Sequence, residues 1–138
     1  ATASLLPPLS NNNSVEFRGL VTASGRTAQG VAKQFGFSFC ASEYKEILAN
    51  DTDVIMVATR HDTHASSVSD ALNAGKHVYV EKPIALSFEE LQMVHNAKSD
   101  SSQVMIGFNR RFAPSTLDVI KHFASVQSPL VVNISWLL

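Results

Sequence analysis

Short apolar runs alternate along the chain with stretches in which apolar residues recur every three or four positions, the pattern of strands alternating with amphipathic helices. Residues 15–22 predict a strand that ends in the turn Ala23-Ser24-Gly25. Ala28, Val31, Ala32 and Phe35 share one helical face, and Gly36 supplies the residue that most easily closes a helix. A weak strand is expected at Phe37-Ser38-Phe39-Cys40, followed by a short helix with Ser42 as N-cap and Tyr44, Ile47 and Leu48 on its face. Asp53-Val54-Ile55-Met56-Val57-Ala58-Thr59 is the strongest strand, its continuous run pointing to burial on both faces.

A helix then follows with Ala65, Val68, Ala71 and Leu72 inward, closed by Gly75, and the next strand spans Val78 to Val80. Ser87-Phe88-Glu89-Glu90 reads as a capping box opening a helix with Leu91, Val94 and Ala97 on one side. Residues 103–108 predict a further strand, and Pro114 starts a helix carrying Leu117, Ile120 and Ala124. Such alternation implies an α/β fold in which a parallel sheet has helices on both faces. Residues 129–138 read as an apolar strand that needs a partner, either here or in a following domain. The loop Ser10-Asn11-Asn12-Asn13-Ser14 is polar surface.

Composition narrows the functional classes more than it names one. With 138 residues the chain is long enough for one core without staples. Eleven basic residues against twelve acidic ones leave a formal charge of −1, which offers no footprint for nucleic acid or an anionic membrane. No stretch reaches the roughly 18–20 apolar residues of a membrane helix, and the N-terminal residues lack the basic leader of a signal peptide. The single cysteine, Cys40, excludes an intrachain disulfide and is expected to pack in the core or an interface, as is Trp136; a cytoplasmic setting follows.

Chemistry concentrates where strands end. The turn Thr59-Arg60-His61-Asp62-Thr63-His64, the tripeptide Glu81-Lys82-Pro83 and the segment Gly107-Phe108-Asn109-Arg110-Arg111-Phe112 all follow predicted strands. In a parallel sheet such turns open on the carboxyl edge, where α/β folds place ligands. Pro83 restricts Lys82 to extended conformations, so the lysine is aimed. His61 and His64 have no third ligand in view and no metal role is expected.

The ordered motifs Val57 through Ala65, Ala74-Gly75-Lys76-His77-Val78-Tyr79-Val80-Glu81-Lys82-Pro83 and Gly107 through Phe112 resemble those of the glucose–fructose oxidoreductase, inositol dehydrogenase and MocA family. The resemblance implies an NAD(P)-dependent oxidoreductase with a Rossmann domain followed by an α/β substrate domain. It makes Lys82 the acid/base that meets the reacting hydroxyl or carbonyl of a sugar or polyol, after a cis peptide bond to Pro83. It places Glu81 at the nicotinamide ribose, Thr59, Arg60, His64 and Pro83 near the cofactor, and Asn109, Arg110 and Arg111 toward nicotinamide or substrate.

Where the family has a Gly-rich phosphate loop and a first strand, this chain has neither, and Ala1–Leu9 resembles the helix after that loop. The expected organisation is therefore a truncated Rossmann domain over residues 1–128 and the start of a substrate domain over residues 129–138, inactive alone. An acid that would take the ribose 2′-OH of NAD is absent from the second strand's turn, whereas Ser24, Arg26 and Thr27 suit a 2′-phosphate, favouring NADP over NAD.

Simpler roles stand beside these. Ser24 and Arg26 also fit a plain polar turn, His64 a helix-start cap, Asn109 a backbone cap, and at least one of Arg110 and Arg111 a surface ion pair. Two other functions compete. One is a non-catalytic Rossmann-type association module, forming a homodimer through strand edges exposed by the missing strand. The other is a receiver-like phosphorylation domain, which shares the order Thr59 then Lys82 but requires an aspartate at a strand end and an acidic pair, whereas residues 15–22 end without an acid and no acidic pair precedes them.

Overall fold

The computed structural model describes residues 4–22, 25–129 and 131, with side chains throughout except at residues 25–27. The chain divides into two units, Ala1–Gly107 and Phe108–Leu138.

The first unit runs α1 (Leu6–Ser10), β1 (Gly19–Leu20), α2 (Gly25–Phe35), β2 (Phe39–Cys40), α3 (Tyr44–Leu48), β3 (Val54–Val57), α4 (His64–Asn73), β4 (His77–Glu81), α5 (Phe88–Ala97) and β5 (Val104–Gly107), with a 3-10 turn at His61–Thr63. All strand pairs are parallel, so the α/β architecture expected from the alternation is present: parallel sheets flanked by helices. Described strands fall into two sheets, β1 with β2 and β3-β4-β5, with no pair joining β1 to β3. β3 therefore has one strand neighbour, and Val54 is 57% exposed.

The helical spacings place the core. Ala65, Val68, Ala71 and Leu72 of α4 are buried as the periodicity requires, against Ile55 and Val57 of β3 and Val78 and Val80 of β4. α5 adds Val94 to this cluster. Leu91, expected inward with it, is exposed, whereas Ala97 packs against the cluster. The two-face burial expected for β3 is not found either: alternate residues Ile55 and Val57 are buried on the side where α4 packs, while Met56 is half-buried. Gly36 and Gly75 close their helices at φ 77° and 74°, left-handed values that a Cβ disfavours.

Caps differ in detail from expectation. Ser87 Oγ accepts from Glu90 N–H at 3.2 Å as a capping box requires, while Glu90 Oε2 reaches back to the Leu86 amide at 2.6 Å. At α3 the cap residue is Glu43 and not Ser42; Glu46 Oε1 accepts from both the Glu43 and Ser42 amides, at 2.8 and 3.1 Å. Tyr44 Oη donates to the Ser67 carbonyl at 2.7 Å, tying α3 to α4, and burial pushes its phenol above the ordinary tyrosine range. Cys40, expected to pack, is exposed at the end of the two-residue β2.

The small sheet depends on a close approach. A Cβ at Gly19 would stand 2.5 Å from Phe39 Cζ and 2.7 Å from Ile47 Cδ1. Gly19→Ala is expected to destabilise the chain by about 1–3 kcal/mol in urea unfolding, the usual cost of overpacking; a loss under about 0.5 kcal/mol would show that Phe39 swings aside freely.

In the second unit a 3-10 turn, Asn109–Phe112, leads into α6 (Pro114–Phe123). Leu117 and Ile120 are exposed there, against the inward face expected of them, and Ala124 falls at the C-cap, just past the helix. The expected strand over residues 129–138 lies largely outside the described residues, as do Trp136 and the residues before Ser4.

Candidate functional site at the carboxyl edge of the sheet

Register sets which residues meet at the edge. Val57 pairs with Val80, and Glu81 with Gly107, so the turn after β3 and the residues after β4 leave the sheet side by side. Among the residues predicted for the site, Thr59, Arg60, His64, Glu81, Lys82 and Pro83 are brought to this edge.

The turn after β3 is held by its own hydroxyls. Thr63 Oγ1 lies 2.8 Å from Thr59 Oγ1 and donates within the same distance to the Arg60 carbonyl. Arg60 Nε faces Asp62 Oδ1 at 3.4 Å, an exposed pair that adds little to stability. Thr59, Arg60, His61, Asp62 and Leu86 line an open cleft of about 440 Å³. A larger groove of about 800 Å³ is lined only by residues of α4 and α5, away from the strand ends.

His64 is the first residue of α4 and is fully buried. Nδ1 lies 2.7 Å from the Pro83 carbonyl oxygen and Nε2 lies 3.1 Å from that of Thr59. Carbonyls only accept, so the shorter contact assigns an Nδ1–H donor toward Pro83. The His61 ring stands edge-on to it at 5.5 Å. This one side chain spans the two turns that flank the edge, a role that neither the cofactor reading nor the capping reading of the sequence anticipated.

The peptide bond between Lys82 and Pro83 is cis, as the resemblance implied. Lys82 follows directly on β4 and is exposed, while Glu81 and Pro83 are half-buried. Tyr79 Oη donates to Glu81 Oε1 at 3.0 Å. Sequence reading passed over Tyr79, although the two-residue period of a strand puts it on the same face as Glu81.

Ser24 lies outside the described residues, and Arg26 and Thr27 are described by backbone alone, in the first turn of α2. Asn109, Arg110 and Arg111 belong to the second unit, where the Arg111 guanidinium lies over the Phe112 ring at 4.8 Å and the Arg110 carbonyl accepts from Thr116 Oγ1 at 3.0 Å.

The edge is built as dinucleotide-binding sheets are: parallel strands, helices crossing over, and polar groups gathered at the carboxyl ends. The model of an oxidoreductase family with an NAD-binding Rossmann fold, the GFO/IDH/MocA family, matches residues 1–108. The chain belongs to this family. It is 33% identical over 112 residues to the 4-carboxy-2-hydroxymuconate-6-semialdehyde dehydrogenase of Sphingobium sp. strain SYK-6, a match covering 80% of the chain and 36% of that enzyme. It is 32% identical over 114 residues to the inositol 2-dehydrogenase of Rhizobium meliloti, covering 82% and 34% respectively.

The fold itself is shared with the crystal structure of myo-inositol 2-dehydrogenase from Lactobacillus plantarum, at a TM-score of 0.77 and 21% identity, over 86% of the chain and 36% of that protein. The chain thus spans about a third of the length of these relatives. Family membership over residues 1–108 displaces the receiver-like alternative. Among the described residues, no helix is long and apolar enough to cross a membrane.

Proposed function

We propose that the chain is the nicotinamide-side segment of an NAD(P)-dependent oxidoreductase that acts on a hydroxyl or carbonyl of a sugar- or polyol-like substrate, with Lys82 as its acid/base. The observation that carries this reading is the position of Lys82, exposed at the end of β4 and followed by a proline whose carbonyl is tied to buried His64. The relatives support the substrate class, two of them being named for inositol.

The edge fits a nicotinamide nucleotide in its donor and acceptor types. A carboxylate, Glu81, is suited to accept from ribose hydroxyls, and Thr59 lines the open cleft at the end of β3. Bound there, the nicotinamide would give or take the hydride. Lys82 acts on the other half of the chemistry: an ammonium at the substrate oxygen stabilises developing alkoxide charge and supplies the proton at Nζ, and takes one back in the reverse direction. Arg110 and Arg111 are assigned to the substrate or nicotinamide side with Asn109, and residues 129–138 to the start of the substrate domain.

NADP is favoured over NAD on the residue types Ser24, Arg26 and Thr27 in the sequence. Calorimetric titration of the chain with NADPH and NADH tests both points. Millimolar or weaker binding, NADPH ahead of NADH, is the expected result, because the phosphates meet no Gly-rich loop. Micromolar binding would overturn the assignment of affinity to that loop, and a preference for NADH would overturn the NADP reading.

A further inference from the structure

On β4, Tyr79 and Glu81 sit two residues apart on one face, and the phenol donates to the carboxylate at 3.0 Å. On β5 the register partner of Glu81 is Gly107. A Cβ there would stand 2.6 Å from Tyr79 Oη and 3.2 Å from Glu81 Oε2. Gly107 does not have a positive φ, so its backbone does not demand glycine. What requires it is space: a side chain at that site would collide with the phenol and crowd the carboxylate, the situation in which strands carry an interior glycine.

We propose that Tyr79 is a positioning residue for Glu81, holding the carboxylate in the orientation that receives the vicinal hydroxyls of the nicotinamide ribose, with Gly107 leaving room for the pair. The inference rests on the reading of Glu81 as the ribose acceptor. A glutamate has three side-chain torsions, and a charge-assisted hydrogen bond to one oxygen removes part of that freedom before ligand arrives. The phenol sits on the same strand, three residues before Lys82, so one strand fixes both the ribose acceptor and the acid/base.

Nicotinamide mononucleotide and nicotinamide are the probes, titrated into the whole 138-residue chain and followed by saturation-transfer NMR. Tyr79→Phe is expected to weaken mononucleotide binding about threefold to tenfold, to leave nicotinamide binding unchanged, and to reduce transfer to ribose protons relative to ring protons. If Glu81→Gln weakens the mononucleotide and Tyr79→Phe does not, the positioning role is overturned while the ribose reading stands. If Glu81→Gln has no effect, or the unmodified chain binds no mononucleotide at about 20 mM, above the millimolar range common for weak sites, the ribose reading falls and the inference with it.

A ligand-free measurement tests the geometry separately. Gly107→Ala is expected to lower the urea midpoint, and to lower it at most half as far in the Tyr79→Phe background, where the colliding oxygen is gone. Equal shifts in the two backgrounds would overturn the three-residue arrangement.

Discussion

Lys82→Met in the full-length protein is expected to lower kcat by about a hundredfold to ten-thousandfold if Lys82 is the acid/base as proposed, the range for removal of such a group, or about 3–5 kcal/mol of barrier. Methionine keeps the length and apolar stem of lysine and removes only the ammonium. Because Lys82 is exposed, stability should hold within about 0.5 kcal/mol, so the loss reads as chemistry and not as unfolding. The cofactor KM should change little, since the ribose is assigned to Glu81. Steady-state kinetics in both directions, with a parallel urea titration, gives the answer. A variant that keeps more than about a tenth of wild-type kcat, well short of a general-acid effect, would remove Lys82 from the acid/base role.

His64→Leu should destabilise the chain by about 2–4 kcal/mol, since it strips a donor from the Pro83 carbonyl and sets an apolar side chain against two partly buried turn carbonyls. Leucine fills much of the imidazole volume, so the effect comes mainly from the unmet acceptors. His64→Asn places an amide nitrogen near the Nδ1 position and should recover part of the loss. Urea unfolding of the three proteins separates these outcomes. A leucine variant as stable as the parent would mean that water meets both carbonyls and that the histidine bridges nothing.

How far the sequence revealed the molecule differs from element to element. The inward set on α4 was legible because its four small or branched residues recur at helical spacing, and nothing in the packing competes with that face. Leu117 and Ile120 show the same spacing, yet they stay exposed: periodicity tells which residues want a partner and not whether one is at hand. The strand over residues 15–22 shrank to Gly19–Leu20 because a strand extends only as far as its partner, and β2 pairs over two residues.

At the edge, the turn after β3 and Glu81-Lys82-Pro83 were visible as polar groups ending apolar runs, and the cis bond followed from the resemblance. The Tyr79–Glu81 pair follows from the two-residue period of one strand, but the room that Gly107 leaves for it was not visible, because that depends on the Glu81 to Gly107 register, a relation between distant residues that no local pattern encodes. His64 was noticed for its chemistry, but its burial arises from two turns closing over it.

β4 is the middle strand of its sheet, paired along its length on both sides, and Lys82 is the first residue past its end. The acid/base proposed for Lys82 would inherit its coordinates from a strand held on both sides. The turn after β3, by contrast, is a loop whose residues can be exchanged without disturbing the strand ladder. Such a division would let descendants of one scaffold change what they recognise while keeping the point of chemistry in place.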